Sequence, residues 1–347
     1  MTKIVMALPH MKRRAMTVSL ENQAQGRCLD PDNPLVYVIE PGLKDVHLTT
    51  WATLNKPLVE RELYKHGAVL FRGFDITNTR QFGAFVEAVS DETMEYRERS
   101  SPRSQVGDKV YTSTDYPPDQ KIFPHNEHSY SLTFPLKLFF YCDLPAQQGG
   151  DTPLADTRKV LDSISPEIKD RFARKKWMYV RNFGDGFGLS WQTVFQTNER
   201  SVVERYCIDS GIEFEWKKGN RLRTRQVRDA MLRHPHTGQM TWFNHITFFH
   251  ISTLEPNLRD AIVADFNEED FPNNTYYGDG SAIEPQVMDK LREAYLRHLT
   301  SFIWRKGDIV LIDNMLTSHA RSSYAGERRI QFAMSEPFTR NSGNVGI

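Results

Sequence analysis

Between Thr49 and His66 the apolar side chains Trp51, Leu54, Leu58, Leu63 and Tyr64 fall roughly on one face of a helix, and Gly67 ends it. Ala68-Val69-Leu70-Phe71 then reads as a short buried strand, and a second helix is expected after Thr79, with Phe82, Phe85, Val86 and Val89 inward. A loop-rich stretch follows, marked by Pro102, Pro117, Pro118 and Pro124, with one strand expected over Lys109 to Thr114. The apolar, aromatic run Leu136 to Cys142 is a further strand, and Gly149-Gly150 forces a turn. The middle mixes helices near Pro166–Arg174, Ser201–Asp209 and Pro285–Leu299 with short strands near Met178, Phe214 and Trp242. Ser301–Trp304, Asp308–Ile312 and Arg329–Met334 restore a β pattern. Strands at both ends around a mixed middle fit one sandwich or barrel with a large insertion better than two successive domains. The first 40 residues are weakly patterned, and no internal repeat or low-complexity tract interrupts the chain.

Composition narrows the function classes. The 347 residues carry 44 Lys+Arg against 44 Asp+Glu, so the chain lacks the uniform positive field of a nucleic-acid binder. No run approaches the roughly 20 apolar residues that span a bilayer. Cys28, Cys142 and Cys207 are widely spaced and odd in number, which speaks against a disulfide framework and for a reducing, cytoplasmic compartment.

Three places carry chemistry. In His125-Asn126-Glu127 an extended backbone would point imidazole and carboxylate to one side, within reach of one ion. Alone this is a weak signal, and a surface loop with a solvated histidine and glutamate is the plainer reading. The second place follows the run Gly307 to Asn314: His319, Arg321, then Arg328-Arg329 opening a strand with Ile330 and Phe332. Two histidines and one carboxylate on one face of a metal leave positions open, which suits non-haem Fe(II) oxygen chemistry. An arginine beyond the second histidine can grip a dicarboxylate through its planar fork. Read alone, Arg328 and Arg329 are a surface basic pair. The third place is Gly149-Gly150-Asp151-Thr152-Pro153, where a threonine hydroxyl could bond a carboxylate.

As an ordered set, these places resemble the Fe(II)/2-oxoglutarate-dependent dioxygenases of the taurine dioxygenase (TauD/TfdA) and clavaminate synthase type, over roughly Gly67 to Pro337. The chain is most similar to the syringomycin-type amino-acid hydroxylases, through Ser101-Pro102-Arg103, the stretch Tyr111 to Pro117, Ser190-Trp191-Gln192 and Trp242-Phe243-Asn244. The resemblance implies that His125, Glu127 and His319 bind Fe(II) and that Arg329, assisted by Thr152, grips the distal carboxylate of 2-oxoglutarate, with O₂ as co-reactant. Taurine dioxygenase has a second arginine four residues after its cosubstrate arginine, where this chain has Ala333, so a sulfonate held that way is not expected. Related halogenases lack the carboxylate that Glu127 supplies, so hydroxylation, desaturation or cyclisation is expected over halogenation.

The expected fold is mainly β with flanking helices: a double-stranded β-helix (jelly roll) with a large mixed insertion. Residues 1–45 form an N-terminal extension and 46–347 one domain, with the insertion at about 153–300. Gln192, Asn244, Arg321 and Arg328 are candidate contacts for an amino-acid-like small-molecule substrate. His128 reads as pocket wall or core, and His234, His236, His245 and His250 as incidental histidines around a hairpin at Pro235 and Thr237-Gly238. Lys217, Lys218, Arg221, Arg223, Arg225 and Arg228 form a basic stretch, a solvated face or a dock for an acidic carrier protein of a peptide synthetase. Neither nucleic acid nor membrane is an expected partner. Two readings of other classes compete: a zinc hydrolase using the same triad, and a non-catalytic jelly-roll binding protein.

Overall fold

The computed structural model describes residues 23–340, apart from 97, 99–102 and 185–187. Two sheets make the core. The larger runs in the order Ala24–Cys28, Val36–Pro41, Ala68–Phe71, Ile309–Asp313, Thr133–Leu144, Arg329–Thr339, Val110–Thr112, Gln105–Gly107, with Thr93–Met94 also on Arg329–Thr339. The smaller orders Leu299–Thr300, Leu154–Asp156, Thr317–Arg321 and Ile122–His125.

Both faces of the large sheet are covered, which is why its central strands read as unbroken apolar runs. Leu138, Phe140, Cys142, Ile330 and Phe332 turn inward with Leu154, Phe302 and Trp304. Their neighbours Phe139, Tyr141, Leu311 and Ala333 face Trp51, Leu63, Phe82 and Phe85 of the flanking helices. This alternation is the period of two that a pleated strand imposes.

The helix expected over Thr49–His66 is two helices, Leu48–Leu54 and Lys56–His66. They break at Asn55, whose side chain donates to the Trp51 carbonyl at 2.8 Å, and Pro57 then opens the second, where its missing N–H costs nothing. Gly67 caps that helix at φ 111°, and a Cβ there would lie 2.4 Å from Thr317 Oγ1. Only glycine lets the helix end press against the strand that carries His319.

Two expected boundaries move. Ala24–Cys28 and Val36–Pro41 belong to the large sheet, Val36–Pro41 pairing in parallel with Ala68–Phe71, so the described part of residues 1–45 is core rather than an extension. Weak patterning hid these strands because Ala24–Cys28 lies at the exposed edge of the sheet. The insertion starts later and ends earlier than about 153–300: Leu154–Asp156 and Leu299–Thr300 pair with each other in the small sheet. Residues 301–304 are not strand; Phe302 and Trp304 are simply buried.

Between those strands the insertion adds its own sheet, ordered Glu213–Lys217, Arg221–Arg228, Trp177–Phe183, Asn273–Tyr277, together with helices packed around Trp177, Trp242 and Tyr295. The basic stretch lies in this sheet, and much of it is engaged internally. Arg223 bonds Asn182 and Asp270, Lys217 pairs with Asp270, and buried Arg228 donates to the carbonyls of Tyr130 and Ser210. The expected hairpin forms from Met231–Arg233 and Met240–Trp242. Its buried His234 is satisfied on both nitrogens, donating to Asp313 at 2.9 Å and accepting from the amides of His236 and Thr237. No helix among the described residues is long and apolar enough to cross a membrane.

Candidate metal centre

Two neighbouring antiparallel strands of the small sheet place His125 directly opposite His319, with ring centroids 4.4 Å apart. The strand Ile122–His125 ends at His125, and Glu127 sits in the turn that follows rather than in extended chain. The next residue, His128, takes a left-handed φ of 55°. Asn314 holds this turn. It accepts from the Glu127 amide at 2.8 Å and donates to the Glu127 carbonyl at 2.9 Å. The carboxylate thereby meets both imidazoles, and one ligand atom from each of His125, Glu127 and His319 lies within 4.8 Å of the others.

The protonation states suit a cation. His125 Nδ1 faces the Phe123 carbonyl at 2.9 Å; a carbonyl only accepts, so Nδ1 carries the proton and Nε2 is left as a ligand. Burial, with few compensating charges, holds both His125 and His319 below the ordinary imidazole range, so they are neutral at pH 7. Burial alone would raise the Glu127 carboxyl, but the charge and hydrogen bond of the Arg103 guanidinium oppose it and hold the carboxyl below its ordinary range, so it is ionised. Two neutral nitrogens and one carboxylate oxygen fit a divalent first-row metal.

The histidines open into a cavity of about 510 Å³ walled by both core sheets and by the insertion. Thr152 and Arg328 line it. Thr152 is buried, and its Oγ1 accepts from Trp304 Nε1 at 3.0 Å. Arg328 donates from Nε to the Gly150 carbonyl at 3.0 Å, and Nη1 lies 3.5 Å from Ser113 Oγ. Burial, with Arg321 nearby, lowers its pKa to about 10, which leaves it cationic. The Gly149-Gly150 turn serves this contact. Gly150 has φ 74°, and a Cβ there would lie 3.0 Å from Arg328 Cδ.

Arg329 does not reach the cavity. Its side chain is 52% exposed and pairs with Asp143 at 2.9 Å and with Glu327, on the outer side of the sheet. Ile330 and Phe332 face inward, and the alternation of the strand puts Arg328 with them and Arg329 opposite. With Arg328 in the cavity, the position four residues on is Phe332, again apolar.

The candidate substrate contacts divide. Arg321 lines the cavity, but its guanidinium donates to the backbone carbonyls of Tyr116, Pro117 and Gln120 and so braces the rim loop. Gln192 lies on the short helix Trp191–Phe195 and is not among the cavity residues; its neighbour Leu189 is. Asn244 is buried away from the cavity, donating to the Ala230 carbonyl and accepting from the Ile246 amide. It thereby fixes the helix Ile246–Phe249, whose Phe248 and Phe249 form the apolar wall. Ser113, Thr114 and Tyr116 from the stretch Tyr111 to Pro117 also line the cavity, whereas Ser101 and Pro102 lie outside the described residues. His128 is core beside Glu127, as expected of it.

Two functional side chains fell within stretches quoted from the sequence, but no role was read for them there. Asn314 lies 187 positions from Glu127, and nothing local marks it as the clamp. Arg103 donates from Nη2 to Glu127 Oε2 at 2.7 Å, across 24 positions.

Comparison with known proteins agrees with this geometry. The chain is 39% identical over 279 residues to the dapdiamide synthesis protein DdaC of Enterobacter agglomerans, covering 80% of this chain and 85% of that one. It is 27% identical over 307 residues to a clavaminate synthase-like protein of Arabidopsis thaliana, covering 86% and 90%. The crystal structure of PvcB from Pseudomonas aeruginosa shares the fold at 16% identity, with a TM-score of 0.54 over 94% of each chain. Residues 31–334 match the family described as taurine catabolism dioxygenase TauD, TfdA family, and the chain belongs to that family.

Proposed function

We propose that this protein is an Fe(II)- and 2-oxoglutarate-dependent dioxygenase that hydroxylates a small amino acid or amino-acid-derived molecule in natural-product biosynthesis. The observation that carries this reading is the convergence on one cavity of the buried His125-Glu127-His319 set with buried Arg328 and Thr152. A zinc hydrolase would use the first group and leave the second without a task. A non-catalytic binding protein would need neither.

With 2-oxoglutarate and O₂, the iron supplies oxidative decarboxylation: one oxygen atom leaves in succinate with release of CO₂, and the other converts a substrate C–H to C–OH. The chain's own residues hold and orient. His125 and His319 would ligate through Nε2, and Glu127 through one carboxylate oxygen. Asn314 keeps that carboxylate in place through the backbone on both sides of it. Arg328 offers a charge-assisted fork for the distal carboxylate of the cosubstrate, and the Thr152 hydroxyl, which accepts from Trp304, keeps its own proton to donate. Phe248, Phe249 and Phe140 present an apolar wall that limits water.

The relatives' names support the pathway class. DdaC is a dapdiamide synthesis protein, and PvcB is described as an Fe, alpha-ketoglutarate dependent oxygenase from an isonitrile synthetic pathway. The carrier-protein reading rested on the basic stretch; since much of that charge is engaged internally, we take the substrate to be a small molecule that enters the cavity itself. Three unpaired cysteines support a cytoplasmic location.

The test is succinate release from 2-oxoglutarate across a panel of amino acids, with product mass measured alongside and Fe(II) binding measured separately. Wild type should gain 16 mass units in one product per succinate, and His319→Ala should lose both metal binding and turnover. Full Fe-dependent activity in His319→Ala, or turnover without 2-oxoglutarate, would sink the assignment.

A further inference from the structure

The helix Pro256–Asp265, in the insertion, contributes to the cavity wall. Of its ten residues only Ile262 is buried. Ile262 is 3% exposed, yet among the described residues it joins none of the hydrophobic clusters that make the core. Leu258 and Ile262 lie one turn apart on the same face, Leu254 stands just before the helix, and all three line the cavity. The next residue, Val263, is 56% exposed. A helix whose apolar stripe meets a cavity instead of a core leaves surface that a ligand can cover.

That wall continues to the metal centre. Phe248 lines the same cavity, and its ring centroid lies 4.6 Å from that of His125. Phe248, Leu254 and Leu258 are only half-buried, so each still presents apolar surface. The polar side chains of the insertion in this cavity are turned to their own neighbours. Asn182 accepts from Arg223 and donates to the Phe271 carbonyl, Asn273 accepts from the Tyr179 hydroxyl, and Arg181 lies over the rings of Tyr179 and Phe183. On the core side Arg321 is committed to the rim carbonyls and Arg103 to Glu127, while Lys121 and Glu255 are exposed.

We propose that Leu254, Leu258 and Ile262, with Phe248, form a subsite for an apolar side chain of the substrate. The enzyme then takes amino acids or their derivatives with an aliphatic or aromatic side chain, and discriminates against polar side chains of equal size. This rests on the dioxygenase reading and deepens it by naming the substrate class. Because Phe248 lies against His125, a chain packed on this wall also runs alongside the metal-binding triad.

The test uses protein loaded with Fe(II) and N-oxalylglycine without O₂, titrated calorimetrically with L-alanine, L-norvaline, L-norleucine, L-leucine and L-phenylalanine, free and N-acetylated. L-Asparagine, free and N-acetylated, is the polar near-isostere of leucine. Affinity should rise about fourfold per CH₂ from alanine to norleucine, and leucine should bind at least tenfold more tightly than asparagine. This series needs no variant, so it decides the proposal even where a substitution prevents folding. Leu258→Asn should lose tenfold or more in affinity for leucine while Fe(II) and N-oxalylglycine still bind, and Ile262→Ala should raise phenylalanine relative to leucine. Val263→Asn should change neither. Equal binding of leucine and asparagine, or a panel with no binder, would overturn the proposal. Leucine affinity unchanged in Leu258→Asn while unfolding stability falls would show that the chain itself covers the stripe, which also overturns it. Wild type that binds neither Fe(II) nor N-oxalylglycine would instead bring down the dioxygenase reading, and this proposal with it.

Discussion

Two adjacent arginines have opposite fates here because a strand shows alternate residues to alternate faces. Arg328 enters the cavity, where burial removes competing water and makes a carboxylate contact matter. Arg329 lies in solvent with Asp143 and Glu327, and exposed pairs of this kind contribute little. Removing a charged hydrogen-bond partner costs about 1.5–3 kcal/mol, which corresponds to about 10- to 150-fold in affinity. Arg328→Ala should therefore raise the KM for 2-oxoglutarate by that range, and Arg328→Lys should recover little of it. Arg329→Ala should leave the KM within about twofold. Steady-state kinetics on the three variants decides the matter, and the reverse ranking would return the cosubstrate to Arg329.

Secondary-structure elements transmit precision to the site through close approaches. The helix Lys56–His66 ends on Gly67, which packs against Thr317, two residues before His319. Gly67→Ala would combine a strained φ of 111° with a Cβ 2.4 Å from Thr317 Oγ1, and it should destabilise by about 1–3 kcal/mol. Gly83 is the natural control. It lies inside the helix Thr79–Val89 with open space at its Cβ, so Gly83→Ala should stabilise by about 0.5–1 kcal/mol. Urea unfolding of both variants should give changes of opposite sign. Equal effects would mean that the Gly67 contact is not tight. The strand signals themselves were strong: Ala68–Phe71 was legible as four apolar residues after a glycine, and Thr133–Leu144 as a longer apolar run. Ala24–Cys28 was not, because an exposed edge strand carries too little apolar pattern to register.

The molecule as a whole buries imidazoles in their neutral form, which couples its stability to pH. His250, in the insertion, has its pKa lowered to about 4 by burial and by nearby Arg292, against about 6.5 in an unfolded chain. As pH falls, the unfolded chain takes up the proton first. The stabilisation is therefore complete above pH 6.5 and is lost between 6.5 and 4, by at most about 1.4 kcal/mol per pH unit. Urea midpoints at pH 7.0 and 5.5 should differ less in His250→Asn than in wild type; identical differences would refute the coupling.

What the sequence by itself determined is local or ordered information. It contained the apolar runs of the core strands, the helix after Thr79, the Gly149-Gly150 turn, and, as an ordered set, the candidate residues His125, Glu127, Thr152 and His319. These are readable because period-two and period-3.6 patterns and short spacings need no partner to be defined. Only the tertiary structure decided which arginine faces the cavity, that Arg103 meets Glu127, that Asn314 clamps the turn, and that residues before 45 complete the large sheet. Each of these depends on register between segments far apart in the chain. A shift of one residue in such a register turns every side chain to the other face, and no local pattern records which register is chosen.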